Sequence, residues 1–401
     1  MNGGGPAADR RKPAGLYVHV PFCLRKCNYC DFISLPIGRG GAAGEAAGAG
    51  AAGLIRPYLA AVRREADRRA PEIAGRTIEG VYFGGGTPTT LDPRDLAGLL
   101  EHVSARYAVD PRAEVTIEAN PGTVDVARLK DLRAAGFNRL SLGAQAFQDP
   151  LLARLGRAHD AAAIGAAVAA ARAAGFTDLN LDLIYGLPGQ TAADWRATLR
   201  AAIALGPEHI AAYALKVEPG TPFHRDQATG RLDLPGEDAE AAMYEEARET
   251  LALAGYEQYE LSNWARPGHR SRHNLLYWHN RDYAGLGAAA WSHLGARRWG
   301  NVRDVAEYVR LVEAGADPVG ESEEPDPRRA AGETAFLALR LLDGLSLTEF
   351  AAEHGRSLEE LFPGAIGRVT TSGLAALEGD RLRLTGRGLL LANRVFQEFV
   401  D

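Results

Sequence analysis

Six times between Leu16 and Gly255, a short run of β-branched and other apolar residues is followed by a segment with helical spacing. The runs are LYVHVPF, TIEGVYFGGG, AEVTIEAN, RLSLGAQ, DLNLDLIYGLP and HIAAYALKV. Asp or Thr often opens the helical segments and Gly closes them, as capping chemistry requires. Six successive strand–helix units predict an α/β fold with a parallel sheet and right-handed crossovers. Six is fewer than the eight of a closed barrel, so the solutions are an open, TIM-like partial (β/α)6 barrel and a doubly wound sheet. Polar and glycine-rich text separates them, because nearly every strand ends in it. Cys23 follows the first strand, Gly84 to Thr87 the second, Glu118 and Asn120 the third, and Gln145 the fourth. Asp182 and Tyr185 belong to the fifth, Lys216 and Glu218 to the sixth. A barrel collects chemistry from many strand ends, whereas a doubly wound sheet concentrates it at one switch point. The barrel is favoured.

The expected organisation is a disordered N-terminus over 1–14, the barrel over 15–255, a connecting segment over 256–325 and a smaller C-terminal unit over 326–401. Inside the barrel, LPIGRGGAAGEAAGAGAAG at 35–53 has almost no side chains to bury and reads as a flexible insertion. The last unit combines helical segments with the strand–turn–strand text LEGDRLRLT, an α+β, winged-helix-like layout. A formal net charge of -6 provides no basic field, which argues against general nucleic-acid binding. No apolar run reaches bilayer length and the first residues lack a signal-peptide core, so a cytoplasmic location is expected.

All three cysteines, Cys23, Cys27 and Cys30, lie in PFCLRKCNYCDF at the end of the first strand. In a reducing compartment, clustered thiols point to metal or redox chemistry. Zinc would need a fourth ligand, with His19 a candidate, and simple reactive thiols are a further alternative. A [4Fe–4S] cube held by three cysteines would instead leave one iron without a protein ligand.

The Cx3CxxC spacing, with Tyr29 before the last cysteine and VYFGGGTPT after the second strand, resembles the radical S-adenosylmethionine (SAM) enzymes. Within them, YVHVPFC, YFGGGTPT, SLGAQAF, NLDLIYGLPGQT and ALKVEPGTP resemble, in order, the group of oxygen-independent coproporphyrinogen III oxidase and the HemW haem chaperones. The resemblance runs from about Leu16 to the C-terminus. It implies a radical-SAM-type barrel, a [4Fe–4S] cluster on Cys23, Cys27 and Cys30, and a SAM pocket lined by Tyr17, Tyr29, Gly85, Gly86, Thr87, Glu118, Gln145, Arg157 and Asp182. Glu118 and Asp182 can accept from ribose hydroxyls, and Gln145 and Arg157 can bind a carboxylate.

Two features lean toward the chaperones. The oxidase carries a further cysteine two positions after the third, where this chain has Phe32, and the chaperones share an HNxxYW motif, here His273 to Trp278. The expected function is therefore haem binding and transfer to an acceptor protein, such as a respiratory haem protein, with porphyrinogen oxidation as the alternative. His273 is the candidate haem ligand, with His19, His269, His279 and His293 as rivals and plain aromatic packing as the bland account of the motif. Ala146 stands where the group often has Ser. The resemblance leaves a homodimer open.

Overall fold

A computed structural model describes residues 13–38 and 50–400. The expected disorder over 1–14 and flexibility over 35–53 fall largely outside those residues. At their described ends, Ala14 begins the first strand and Leu35–Pro36 pairs in parallel with Phe22–Cys23.

The six expected strands are β1 (Ala14–Val20), β2 (Ile78–Gly85), β3 (Val109–Ala119), β4 (Arg139–Gln145), β5 (Leu179–Tyr185) and β6 (His209–Ala214). Each pairs in parallel with the next, in sequence order and with no reversal. A doubly wound sheet must reverse its strand order at a switch point. The unreversed order makes this an open six-stranded barrel.

The 256–325 stretch is not merely a connector. It supplies six more strands, extending both edges of the same sheet. β7 (Glu257–Glu260) and β8 (Asn263–Ala265) add antiparallel strands beyond β6. β9 (Tyr283–Leu286) pairs in parallel with β1, and β10 (Trp291–Leu294), β11 (Arg297–Asn301) and β12 (Val319–Glu323) continue antiparallel from it. Between the two edges, helix α1 (Arg272–Trp278) carries HNLLYW across the inner face of the sheet. It is started by the Ser271 cap and by Glu114 of β3, whose carboxylate accepts from the N–H groups of Arg272 and His273.

A period of two explains the inside of the barrel. Leu16, Val18 and Val20 of β1 and Val81 and Phe83 of β2 are fully buried on the face that meets the helices. The alternate residues Tyr17, His19, Tyr82, Glu114, Glu118, Ser141, Asn180, Asp182 and His209 fill the lumen, and all but Glu114, which bonds to the start of α1, hydrogen-bond within this set. His209, for example, is held between Asn180 and the Tyr259 hydroxyl at 2.6 and 2.8 Å. The C-terminal part has its own core around Leu339, Phe350 and Leu382. It also has a small antiparallel sheet whose hairpin, Ala375–Glu378 with Arg381–Leu384, is the LEGDRLRL text. No helix among the described residues is long and apolar enough to cross a membrane.

Glu65, on the helix Ile55–Arg69, ties the added edge to the barrel. Its buried carboxylate accepts from the Gly287 amide at 2.8 Å, the Asn301 amide at 2.7 Å and the Tyr308 hydroxyl at 2.6 Å. Removing the acceptor strands three buried donors. Glu65→Ala is expected to lower stability by about 3–5 kcal/mol, read as a fall in denaturation midpoint, and Glu65→Gln by less. An unchanged midpoint for Glu65→Ala would show that water replaces the carboxylate.

Candidate functional site

The strand ends of β1 to β5 converge on one mouth, and the cysteine loop folds over it. The Asn28 amide donates to Leu155 O and its side chain to Arg154 O, while Asn28 O accepts from Phe223. So pinned, the loop brings the Cys23 thiol to 3.4 Å from the Thr87 hydroxyl and the Cys27 thiol to 3.5 Å from the Arg157 guanidinium. All three cysteines are free thiols and partly exposed. Burial pushes Cys23 up, and pushes Cys30 up to about 11. Loading metal here therefore displaces protons.

A closed zinc site holds four donors about 2.1–2.3 Å from one ion. Among the described residues, no three His, Cys, Asp or Glu side chains converge that tightly. His19 is already committed, with Nδ1 2.9 Å from the Tyr17 hydroxyl and Nε2 3.0 Å from Ile33 O. The set fits a larger, sulfur-ligated group better than a single ion: three soft donors on one loop, a guanidinium beside one thiol, and no fourth cysteine in the chain.

Beside the thiols lies the glycine-rich loop. The resemblance puts Gly85 and Gly86 in the SAM pocket, but the protein itself requires these glycines first. Gly85 has φ +106°, and a Cβ there would overlap the His19 ring. A Cβ on Gly84 would lie 2.7 Å from Tyr82 and 2.9 Å from Glu118, and one on Gly86 would lie 2.7 Å from Val20 O. Lumen side chains crowd this loop, and only glycine fits.

Glu118 accepts from the Gly85 amide at 3.0 Å and from the Tyr82 hydroxyl at 2.8 Å. Asp182 accepts from Ser141 at 3.0 Å and from Asn180 at 2.8 Å. Burial raises both acids, Glu118 to about 7. A ligand hydroxyl donating to either would favour ionisation. Gln145 sits at φ +67° beyond a bulge in β4, a strained conformation that re-aims its side chain into the mouth. Arg157 donates to Gly143 O at 2.6 Å and to the Asn120 side chain, and its Nε is buried without a partner. Tyr17, Tyr29, Thr87 and these groups thus share one mouth with the cysteines. Sequence reasoning missed Tyr82, Ser141 and Asn180, although the period of two along each strand places them in the lumen.

A second cavity, about 540 Å³, opens beside the mouth. Its walls include Tyr17 of β1, Phe32 of the cysteine loop, Tyr277 and Trp278 of α1, Trp291 of β10 and Phe336 of the helix Pro327–Ala338. Phe32 is 62% exposed and Trp291 38%. Asp31 and Arg303 line both this cleft and a cavity of about 520 Å³ at Cys27 and Cys30, so the two adjoin.

His273 does not line the cleft. It is 1% exposed, faces β2, and has Nε2 2.8 Å from the Tyr277 hydroxyl and Nδ1 3.4 Å from Gly80 O. As the ring stands, it has no nitrogen free for iron. Among its rivals only His19 lines the cleft, and both its nitrogens are engaged. His269 lies beside Asp178 below the barrel, and His293 packs against Tyr283.

The raised acid in the mouth makes a stability prediction. An acid held above its ordinary 4.5 favours its protonated form in the folded chain. Its contribution is full below about pH 4.5 and is lost as pH rises to about 7. Glu118→Gln should remove that part of the pH slope of the melting temperature in cofactor-free protein. Superimposable profiles for the two proteins would refute it.

Comparison with known proteins agrees with this geometry. Residues 17–202 match the radical SAM superfamily and 326–391 the HemN C-terminal domain. The chain is 39% identical over 385 residues to the protein named heme chaperone HemW of Mycobacterium tuberculosis, covering 96% of this chain and 94% of that protein. It is 36% identical to that of Bacillus subtilis, covering 96% and 98%. Escherichia coli coproporphyrinogen III oxidase (HemN), described as a radical SAM enzyme, shares the fold at a TM-score of 0.81 and 24% identity, over 98% of this chain and 91% of that one. With this identity along nearly its whole length, the chain belongs to the HemW family, on a radical SAM fold.

Proposed function

We propose that this protein is a haem chaperone: it takes haem into the aromatic cleft and passes it to an acceptor protein in the cytoplasm. The observation that carries this reading is the cleft itself, walled by rings and adjoining the cysteine mouth. A flat macrocycle gains most from stacked or edge-on rings on both sides. Its carboxylates call for cations. Arg298 is already committed to Glu333 at 2.8 Å, which leaves Arg303, exposed and without an ion pair among the described residues.

Cys23, Cys27 and Cys30 would hold a [4Fe–4S] cluster, and Tyr17, Tyr29, Gly85, Gly86, Thr87, Glu118, Gln145, Arg157 and Asp182 would hold SAM. When bound, the cluster would supply redox-active iron–sulfur chemistry beside the SAM pocket. The chain's own part is to fix the loop, favour the protonated form of the two acids through burial, and exclude water from the lumen. Phe32, where the oxidase has its extra cysteine, gives the cleft an apolar wall and favours holding haem over oxidising a porphyrinogen.

Anaerobically reconstituted protein is expected to carry about four irons and four sulfides, to bind one haem, and to leave coproporphyrinogen III unchanged in the presence of SAM. Conversion to protoporphyrinogen with SAM cleavage would replace this function with the oxidase reaction. Phe32→Ala should weaken haem binding roughly two- to tenfold, the value of one aromatic contact of about 0.5–1.5 kcal/mol, with iron and sulfide content unchanged. Unaltered haem affinity would remove Phe32 from the site.

A further inference from the structure

Arg298 and Arg303 both line the aromatic cleft, and they stand in opposite states. Arg303 is exposed and unpaired among the described residues, whereas Arg298 of β11 already holds a carboxylate. Its two terminal nitrogens fork onto the two oxygens of Glu333, at 3.0 and 2.8 Å. That is the bidentate geometry by which a guanidinium reads a planar carboxylate. Glu333 comes from a different wall. It lies on the helix Pro327–Ala338, which also contributes Phe336 and Leu337 to the cleft. Three and four residues after Glu333, they share its face of the helix. The Glu333 side chain is 7% exposed, so it cannot give up Arg298 and stay where it is without a large desolvation cost. The helix itself is free to respond. It belongs to the C-terminal unit, which has its own core, and its neighbouring ties to the barrel include polar pairs: Asn280 donates to Thr334 at 2.9 Å, and Arg340 lies 3.4 Å from Glu260. Units with separate cores joined through polar contacts shift readily against each other.

We propose that Arg298 is the residue with which the cleft reads a carboxylate of its cargo, and that Glu333 fills that place as an internal substitute until the cargo arrives. Haem brings two carboxylates. Arg303 meets one, and the other takes Arg298 from Glu333. The exchange replaces one charge-assisted fork by another, with no covalent bond made or broken. Arg329, half exposed and 3.9 Å from Glu333, offers the released carboxylate a cation nearer the surface. The helix carrying Phe336 and Leu337 shifts as Glu333 leaves, so the contact that secures haem also unlatches one wall of its cleft. The wall is latched in the empty protein and loosened in the loaded one, the order that handing on a cargo requires. A macrocycle without free carboxylates leaves the latch closed. The inference rests on the haem reading above.

The test titrates the full-length, cluster-loaded protein with two probes: ferric haem, and iron protoporphyrin IX dimethyl ester, which keeps the ring and the iron but has no free carboxylate. The wild type is expected to bind haem more tightly than the diester. Amide hydrogen exchange over residues 327–338 should rise with haem and stay unchanged with the diester. Glu333→Gln should tighten haem binding roughly two- to tenfold, since a neutral partner competes less well for the guanidinium, and should raise exchange in that helix before any ligand is added. Arg298→Gln should weaken haem binding roughly tenfold, the value of one charge-assisted hydrogen bond, leave diester binding unchanged, and cancel the effect of Glu333→Gln in the double variant. A merely structural pair would affect both probes alike in every variant, and that result would overturn the assignment. Helix exchange that responds equally to haem and diester would do the same. The wild-type comparison of the two probes decides even if a variant fails to fold. Absence of binding by either probe refutes instead the function on which the inference rests.

Discussion

The barrel strands are buried on both faces along most of their length, and the two faces are chemically opposite. The outer face is apolar because helices cover it. The lumen is polar and aromatic, and each of its groups must find a partner away from water. Tyr82 with Glu118, Ser141 and Asn180 with Asp182, and His209 with Asn180 and Tyr259 are such solutions. The glycine-rich loop follows from the same crowding, since Tyr82, Glu118 and the His19 ring leave no volume for a Cβ on Gly84 or Gly85.

That buried, hydrogen-bonded lumen sets the electrostatics of the mouth. Burial raises Glu118 and Asp182 and lowers His19 and His273 to about 4, so in the ligand-free protein acids and histidines alike tend toward their neutral forms. Neutral groups can sit near the cysteine loop without repelling an incoming ligand. They can also shift protonation when that ligand brings its own donors or charge.

How much of this was legible depends on how local the signal is. The six strands, their order and the polar text at their ends were readable, since alternation and capping are written into consecutive residues. The cysteine site was readable because its three donors lie on one short loop. The aromatic cleft was not, for its rings come from positions 17, 32, 277, 278, 291 and 336. HNLLYW was legible as a motif, but the direction its histidine faces was not. A histidine beside aromatics looks the same in sequence whether it faces a ligand or a strand.

The sequence by itself determined the parallel six-stranded barrel, the three-cysteine loop and the HNLLYW motif, because all three are carried by residues close in the chain. Only the tertiary structure decided that residues 256–325 extend both edges of the sheet and seat α1 across the lumen. It also decided that His273 turns inward to Gly80 while Tyr277 meets the cleft. Those outcomes depend on pairing between residues up to about two hundred and seventy positions apart, such as β1 with β9. No periodicity encodes such pairing. It is selected by which arrangement leaves the fewest buried polar groups without partners.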